Sequence, residues 1–95
     1  MYVVIARWVA REGEEADVER VLKTMAPLSR EEPGCQEFTV LRSSDELRTY
    51  LLYEVYDDEA SFVAHRGTDH FKKHVLGDGV ARLEARTVAH YEIVA

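Results

Sequence analysis

Apolar and polar positions change period along the chain, and each change marks an element. "YVVIARWVA" (2–10) is rich in β-branched and aromatic residues and ends at Arg11-Glu12-Gly13, which predicts a first strand. From Glu14 the spacing becomes helical, with Val18, Val21, Leu22, Met25 and Leu28 on one face, acidic residues early and Arg30 late. Pro33-Gly34 closes that helix. "CQEFTVLRS" (35–43) and "RTYLLYEVY" (48–56) read as two strands joined through Ser44-Asp45-Glu46, a hairpin. Asp57 or Asp58 can cap a second helix that carries Ala60, Val63 and Ala64 on one flank and pauses at Gly67. Thr68 can restart it, with Phe71 and Val75 one turn apart. After Gly77-Asp78-Gly79, "VARLEA" adds a last helical turn and "RTVAHYEIV" (86–94) a final strand. The order β-α-β-β-α-β predicts an α+β, ferredoxin-like antiparallel sheet with both helices on one face, a single domain over residues 1–95.

Two strands are apolar on both faces. In the third, Thr49, Leu51, Tyr53 and Val55 oppose Tyr50, Leu52, Glu54 and Tyr56; in the first, Val3, Ile5 and Val9 oppose Tyr2, Val4, Ala6 and Trp8. Two helices cover one face only. A second copy packed sheet to sheet would cover the other and close a dimeric α+β barrel.

Composition narrows the function classes. The 95 residues are 46% hydrophobic and 32% charged, an ordinary globular balance. Twelve Lys and Arg against 18 Asp and Glu leave a net charge of -6, the wrong sign for a phosphate backbone or an anionic membrane surface. No apolar run approaches the roughly 20 residues of a membrane span. Cys35 is the only cysteine, so no intrachain disulfide forms, and the expected location is the cytoplasm. Cys35 lacks a CxxC partner and reads as a packing residue.

The densest chemistry lies in "AHRGTDHFKKH" (64–74), with His65, His70 and His74. His70 and His74 are four apart and share a helix face, but His65 and His70 are about 140° apart on a continuous helix. Asp78 is the one nearby candidate for a third ligand, so the spacing predicts no metal site. Acid-base chemistry and a purely structural role both stay open for these histidines.

The segments "EPGCQEF" and "YEVYDDEASFVAHRGTDHFKKH", with the closing strand, resemble the antibiotic biosynthesis monooxygenase (ABM) family. In that pattern an aromatic-Glu-x-aromatic strand end, then Ala-His, then Thr-Pro-His-Phe match Glu54, Tyr56, Ala64, His65, Thr68, His70 and Phe71; Asp69 stands where the family usually has proline. The resemblance implies small dimeric barrels, among them cofactor-free oxygenases of quinols, haem-degrading enzymes and an isomerase. The haem-degrading branch uses an Asn and a helix-borne Trp. This chain has no Asn and its only Trp is Trp8 on the first strand, so that chemistry does not carry over.

A quinol or polyphenol reacts with oxygen without cofactor once a base removes a proton, because the anion gives up an electron more readily. The expected base is His70, followed by His65 with Glu54 as orienting partner. Tyr53 or Tyr50 could donate an O–H, Arg7 could clamp an oxyanion, and Phe71 completes the expected substrate site. His74 is expected in solvent and His90 on the sheet. The function read from the chain is a cofactor-free monooxygenase of a small aromatic or quinol-like substrate with molecular oxygen; an acid-base isomerase or a non-catalytic ligand binder of the same fold is the alternative.

Overall fold

In a computed structural model describing residues 1–95, the chain forms an α+β ferredoxin-like fold around one open antiparallel sheet. Strand β1 (Tyr2–Ala10) leads through a turn at Gly13, whose φ of 85° suits glycine, into helix α1 (Glu15–Arg30). Strands β2 (Cys35–Arg42) and β3 (Thr49–Tyr56) form the hairpin, and α2 (Glu59–Arg66) follows. A π-helical turn (Phe71–Leu76) and a 3-10 turn (Gly79–Arg82) lead to β4 (Leu83–Tyr91). The strand order is β2-β3-β1-β4. No helix is long and apolar enough to cross a membrane.

The helical spacing on α1 buries Val18, Val21, Leu22 and Met25 against Trp8, Phe38, Tyr50 and Leu52 of the sheet, whereas Leu28, expected on the same face, lies 37% exposed in the last turn. Asp58 caps α2 by accepting from the Ser61 N–H at 2.9 Å, and Thr68 caps the restart by accepting from the Phe71 N–H at 3.2 Å. Both caps are local chemistry, which is why sequence finds them.

Two expectations fail where tertiary contacts override local pattern. The last strand is Leu83–Tyr91, not 86–94: Leu83 pairs with Ala10 and is buried, so "VARLEA" stops being helical at Arg82. At the other end Tyr91 already faces Val3, and β1 has almost no chain left to pair with. The buried face of α2 is Phe62 and His65, whereas Ala60, Val63 and Ala64 face outward. An aromatic and an imidazole fill the space over the sheet that two alanines would leave empty.

The ladder places Val4, Ala6, Trp8, Leu52, Glu54, Tyr56, Val88 and His90 on the inner face, beneath the helices. The outer face carries Val3, Ile5, Arg7, Leu51, Tyr53 and Val55 and has no layer of this chain over it. Val3 and Val55 shelter each other there, while Leu41 and Leu51 remain 51% and 38% exposed.

Candidate functional site

The site begins at a turn. After α1, Arg30-Glu31-Glu32-Pro33-Gly34 reverses the chain, with the Cys35 N–H bonded to the Glu32 carbonyl at 3.0 Å. Gly34 runs so close to α2 that a Cβ would collide with the Ser61 side chain, and its carbonyl takes the Asp57 N–H at 2.9 Å. That close approach brings the Glu32 carboxylate over the C-terminal half of α2.

There it meets two imidazoles. His65 Nδ1 lies 2.9 Å and His70 Nε2 2.6 Å from the same oxygen, Glu32 Oε2. Burial raises the Glu32 proton affinity, but the hydrogen bonds from His65 and His70 outweigh it and hold the carboxyl below its ordinary range. An ionised carboxylate only accepts, so Nδ1 of His65 carries a proton toward Glu32, and in the neutral imidazole the lone pair is on Nε2.

Nε2 points the other way, 3.8 Å from Glu54 Oε1. Glu54 sits on the inner face of β3 and accepts the Tyr56 hydroxyl at 2.6 Å. Burial pushes Glu54 up despite that bond, and pushes the Tyr56 phenol up as well, with the Glu54 charge adding to it. Tyr56 therefore stays a donor. Around His65 stand the rings of Phe38, Tyr56, Phe62 and Phe71, with centroids 5.2 to 6.2 Å away, and its own side chain is 3% exposed.

His65 and Glu54 form the polar floor of a cavity of about 640 Å³ between the sheet and α2 with the π-helical turn. Its walls are mostly apolar, with Trp8, Leu52, Phe62, Phe71 and Val88 among them. A largely apolar hollow with an oriented imidazole suits proton removal from a small aromatic molecule.

The sequence-predicted residues divide between cavity and elsewhere. His65, Glu54 and Phe71 line the cavity, and so does His90, whose ring lies 5.1 Å from that of Tyr2. His70, the expected base, does not line it: it stands behind Glu32, since helical restart at Thr68 turns its ring toward the α1 turn. Tyr50 is on the inner face, but its hydroxyl donates to Glu19 of α1 at 3.0 Å, outside the cavity. Tyr53 and Arg7 fall on the outer face by strand alternation, and Arg7 pairs there with Glu46 at 3.2 Å. His74 is partly buried rather than fully solvated. Cys35 is half-buried, and burial with the charges of Glu32 and Glu54 pushes its thiol up to about 11, which removes it as a nucleophile.

Sequence reasoning missed Glu32 and Tyr56. Glu32 stands in the "EPG" segment, which reads locally as a helix stop; its place beside a proline-glycine turn, and in the "EPGCQEF" segment that carries the family resemblance, were the hints of a fixed position. Glu32 also supplies the third donor that the histidine spacing lacked. Donor atoms of Glu32, His65 and His70 all lie within 4.8 Å of one another, two imidazoles and a carboxylate, a set that zinc or ferrous iron accepts.

Comparison with known proteins agrees with this fold. The family model described as antibiotic biosynthesis monooxygenase matches residues 1–75. No curated protein matches the sequence. Among solved structures, PA3566 from Pseudomonas aeruginosa superimposes with a TM-score of 0.93 at 23% identity, over 99% of this chain and 94% of that one. Rv0793 from Mycobacterium tuberculosis gives 0.91 at 23%, over 99% and 95%. SO0527 from Shewanella oneidensis gives 0.89 at 26%, over 95% and 87%.

Proposed function

The chain belongs to the antibiotic biosynthesis monooxygenase family, and from that premise we propose that residues 1–95 act as one domain oxygenating a small quinol or polyphenol without a cofactor, with His65 as the base. The observation that carries this reading is the Glu32–His65 pair, which leaves Nε2 of a buried imidazole free toward an apolar cavity. His65 takes a phenolic proton at Nε2, and Glu32 stabilises the imidazolium that results. The anion passes an electron to dioxygen, and the radical pair combines at a ring carbon. Loss of water then leaves a hydroxyquinone, so quinol plus dioxygen balances as hydroxyquinone plus water. Tyr56 and Glu54 hold the polar end of the site in place beside the reacting oxygen.

The working unit in this reading is a homodimer joined through the outer sheet face, whose Val3, Ile5, Tyr53 and Val55 have no covering layer. Light scattering should give twice the chain mass of 10.9 kDa, and Val55→Arg should dissociate and destabilise the protein together. A monomer at micromolar concentration contradicts it.

The deciding experiment is oxygen uptake with a panel of reduced quinones. Stoichiometric uptake by metal-free protein supports cofactor-free oxygenation; product formed without oxygen points to an isomerase, and tight binding with no turnover to a carrier. A second reading rests on the Glu32, His65 and His70 donor set, which could hold a divalent metal. Elemental analysis separates the two: near-stoichiometric zinc or iron lost on His70→Ala would favour the metal reading.

A further inference from the structure

The two ring nitrogens of His65 face different surroundings. Nε2 is directed to the cavity side, 3.8 Å from Glu54 Oε1, whereas Nδ1 is turned back toward the loop after α1, where it meets Glu32. Glu32 forms no ion pair with a lysine or an arginine; the imidazoles of His65 and His70 are its only side-chain partners. The nitrogens that face it bond to nothing else, so all three donors are committed to one another. Three separate segments hold them. Glu32 is fixed by the turn that carries Gly34 against Ser61, His65 by its place on α2 between the rings of Phe62 and Phe71, and His70 by the restart that Thr68 caps.

Two imidazoles and one carboxylate are the donor choice of zinc, and too poor in oxygen for magnesium or calcium. Glu32 Oε2 lies 2.9 Å from His65 Nδ1 and 2.6 Å from His70 Nε2, which are hydrogen-bond distances. Zinc takes nitrogen and oxygen at about 2.0 to 2.2 Å, so its tetrahedral ligands stand about 3.3 Å apart, and an entering ion must part these donors by roughly half an ångström. The side chains of Glu32 and His70 can give, being 11% and 20% exposed against 3% for His65, and their exposed side is the way in. Water, or Glu32 Oε1 at 3.1 Å from Nδ1, completes the shell.

Resting on the reading of His65 as the base, we infer that Glu32 Oε2, His65 Nδ1 and His70 Nε2 form an inhibitory site for a zinc-like divalent ion, which silences the base from behind. The ion is a brake here, not a cofactor. Coordination takes the Nδ1 lone pair, so the single proton of the neutral ring moves to Nε2. There it is directed toward Glu54, and the atom that would receive a phenolic proton already carries one. His70 makes the same exchange, its proton passing from Nε2 to Nδ1, so neither ring gains or loses a proton. The ion lies on the edge of the His65 ring opposite the cavity side. Substrate binding therefore survives while proton removal stops, and zinc lowers kcat rather than raising KM.

The test uses the whole protein freed of metal by a chelator, with zinc as the probe and magnesium as the control. Titration calorimetry should show one zinc bound per chain and no magnesium. His70→Ala should weaken zinc binding by about tenfold or more, whereas His74→Ala, which removes no donor of the group, should leave it alone. Nitrogen NMR of the histidine rings should show His65 passing from the Nδ1–H to the Nε2–H tautomer as zinc is added, a change that an ion bound elsewhere on the surface does not produce. With a quinol that is turned over, saturating zinc should lower kcat by about tenfold or more, leave KM within about twofold, and be reversed by chelator. Zinc held as tightly by His70→Ala as by wild type, an unchanged His65 tautomer, or uptake that rises with zinc overturns the inference. Absence of oxygen uptake with every quinol, alongside His70-dependent zinc binding and the tautomer change, would overturn the reaction proposed above and leave the ion site standing.

Discussion

Two carboxylates flank His65, and the protein treats them oppositely. Glu32 sits on a turn where two imidazoles converge on one oxygen, and its carboxyl is held below the ordinary range even though burial works against it. Glu54 sits on a central strand among aromatic rings with a single short bond from Tyr56, and burial wins, raising it. Glu32 is the shallower of the two and receives two donors, whereas Glu54 is deeper, receives one and is repelled by Glu32, so burial, donors and neighbouring charge act together. One carboxylate is held ionised and orients an imidazole; the other is ionised only at a cost that its Tyr56 bond offsets in part.

The largest effect expected from breaking this asymmetry is at the residue between the two. His65→Ala should slow oxygen uptake by roughly 10² to 10⁴, the range of a lost general base, whereas His70→Ala leaves the Glu32–His65 pair in place and should cost less than about tenfold. The reverse order, with both variants folded, would return the base to His70.

Glu32→Gln tests the anion. It leaves two buried imidazoles without their common acceptor and should destabilise the protein by about 1 to 3 kcal/mol at neutral pH in urea unfolding. Because the folded Glu32 proton affinity is depressed, the wild type holds this stabilisation above the ordinary carboxylate range, about 4.3, and loses it as pH falls through the lower folded value. Wild type and variant should therefore converge in acid. A gap that stays constant with pH would mean the carboxylate acts by packing, not charge.

Glu54→Gln should act with the opposite sign and a smaller size. A raised folded value means that protonation favours the folded state, so the ionised form costs stability above it. Replacing it with a neutral acceptor for Tyr56 should raise the melting temperature at pH 8 by a few degrees, on the order of 1 kcal/mol, and the gain should vanish below the ordinary carboxylate range. Destabilisation at pH 8 would show that the Glu54 charge is compensated in the folded state.

The smallest effect is expected at His74, which contacts neither carboxylate. His74→Ala should change uptake less than twofold and stability by within about 0.5 kcal/mol. A loss comparable to that of His65→Ala would extend the site along the π-helical turn.

Local chemistry explains which parts of this site could be read early. Asp58 and Thr68 cap the helical segments they precede, and the alternation of β3 already set Glu54 opposite Tyr53, because both rules act within a few residues. Alternation alone does not say which face is covered, so Tyr53 and Arg7 were as eligible as Glu54 until α1 and α2 were laid on one side. His65 and His70 are five residues apart in the chain, and helical geometry would part them; the break at Gly67 and restart at Thr68 instead turn both toward Glu32. Glu32 itself is separated from them in the chain by the two strands β2 and β3, and no periodicity connects a turn after α1 to the face of α2.

Period, caps and turns are properties of neighbouring residues, so the linear pattern carries the order of elements, the family, and a histidine, a glutamate and several aromatic rings around one stretch of chain. Which histidine faces the cavity and which carboxyl is held ionised follow from packing. Those are properties of distances between segments remote in sequence, and burial and hydrogen bonding take their sign only once the segments have met.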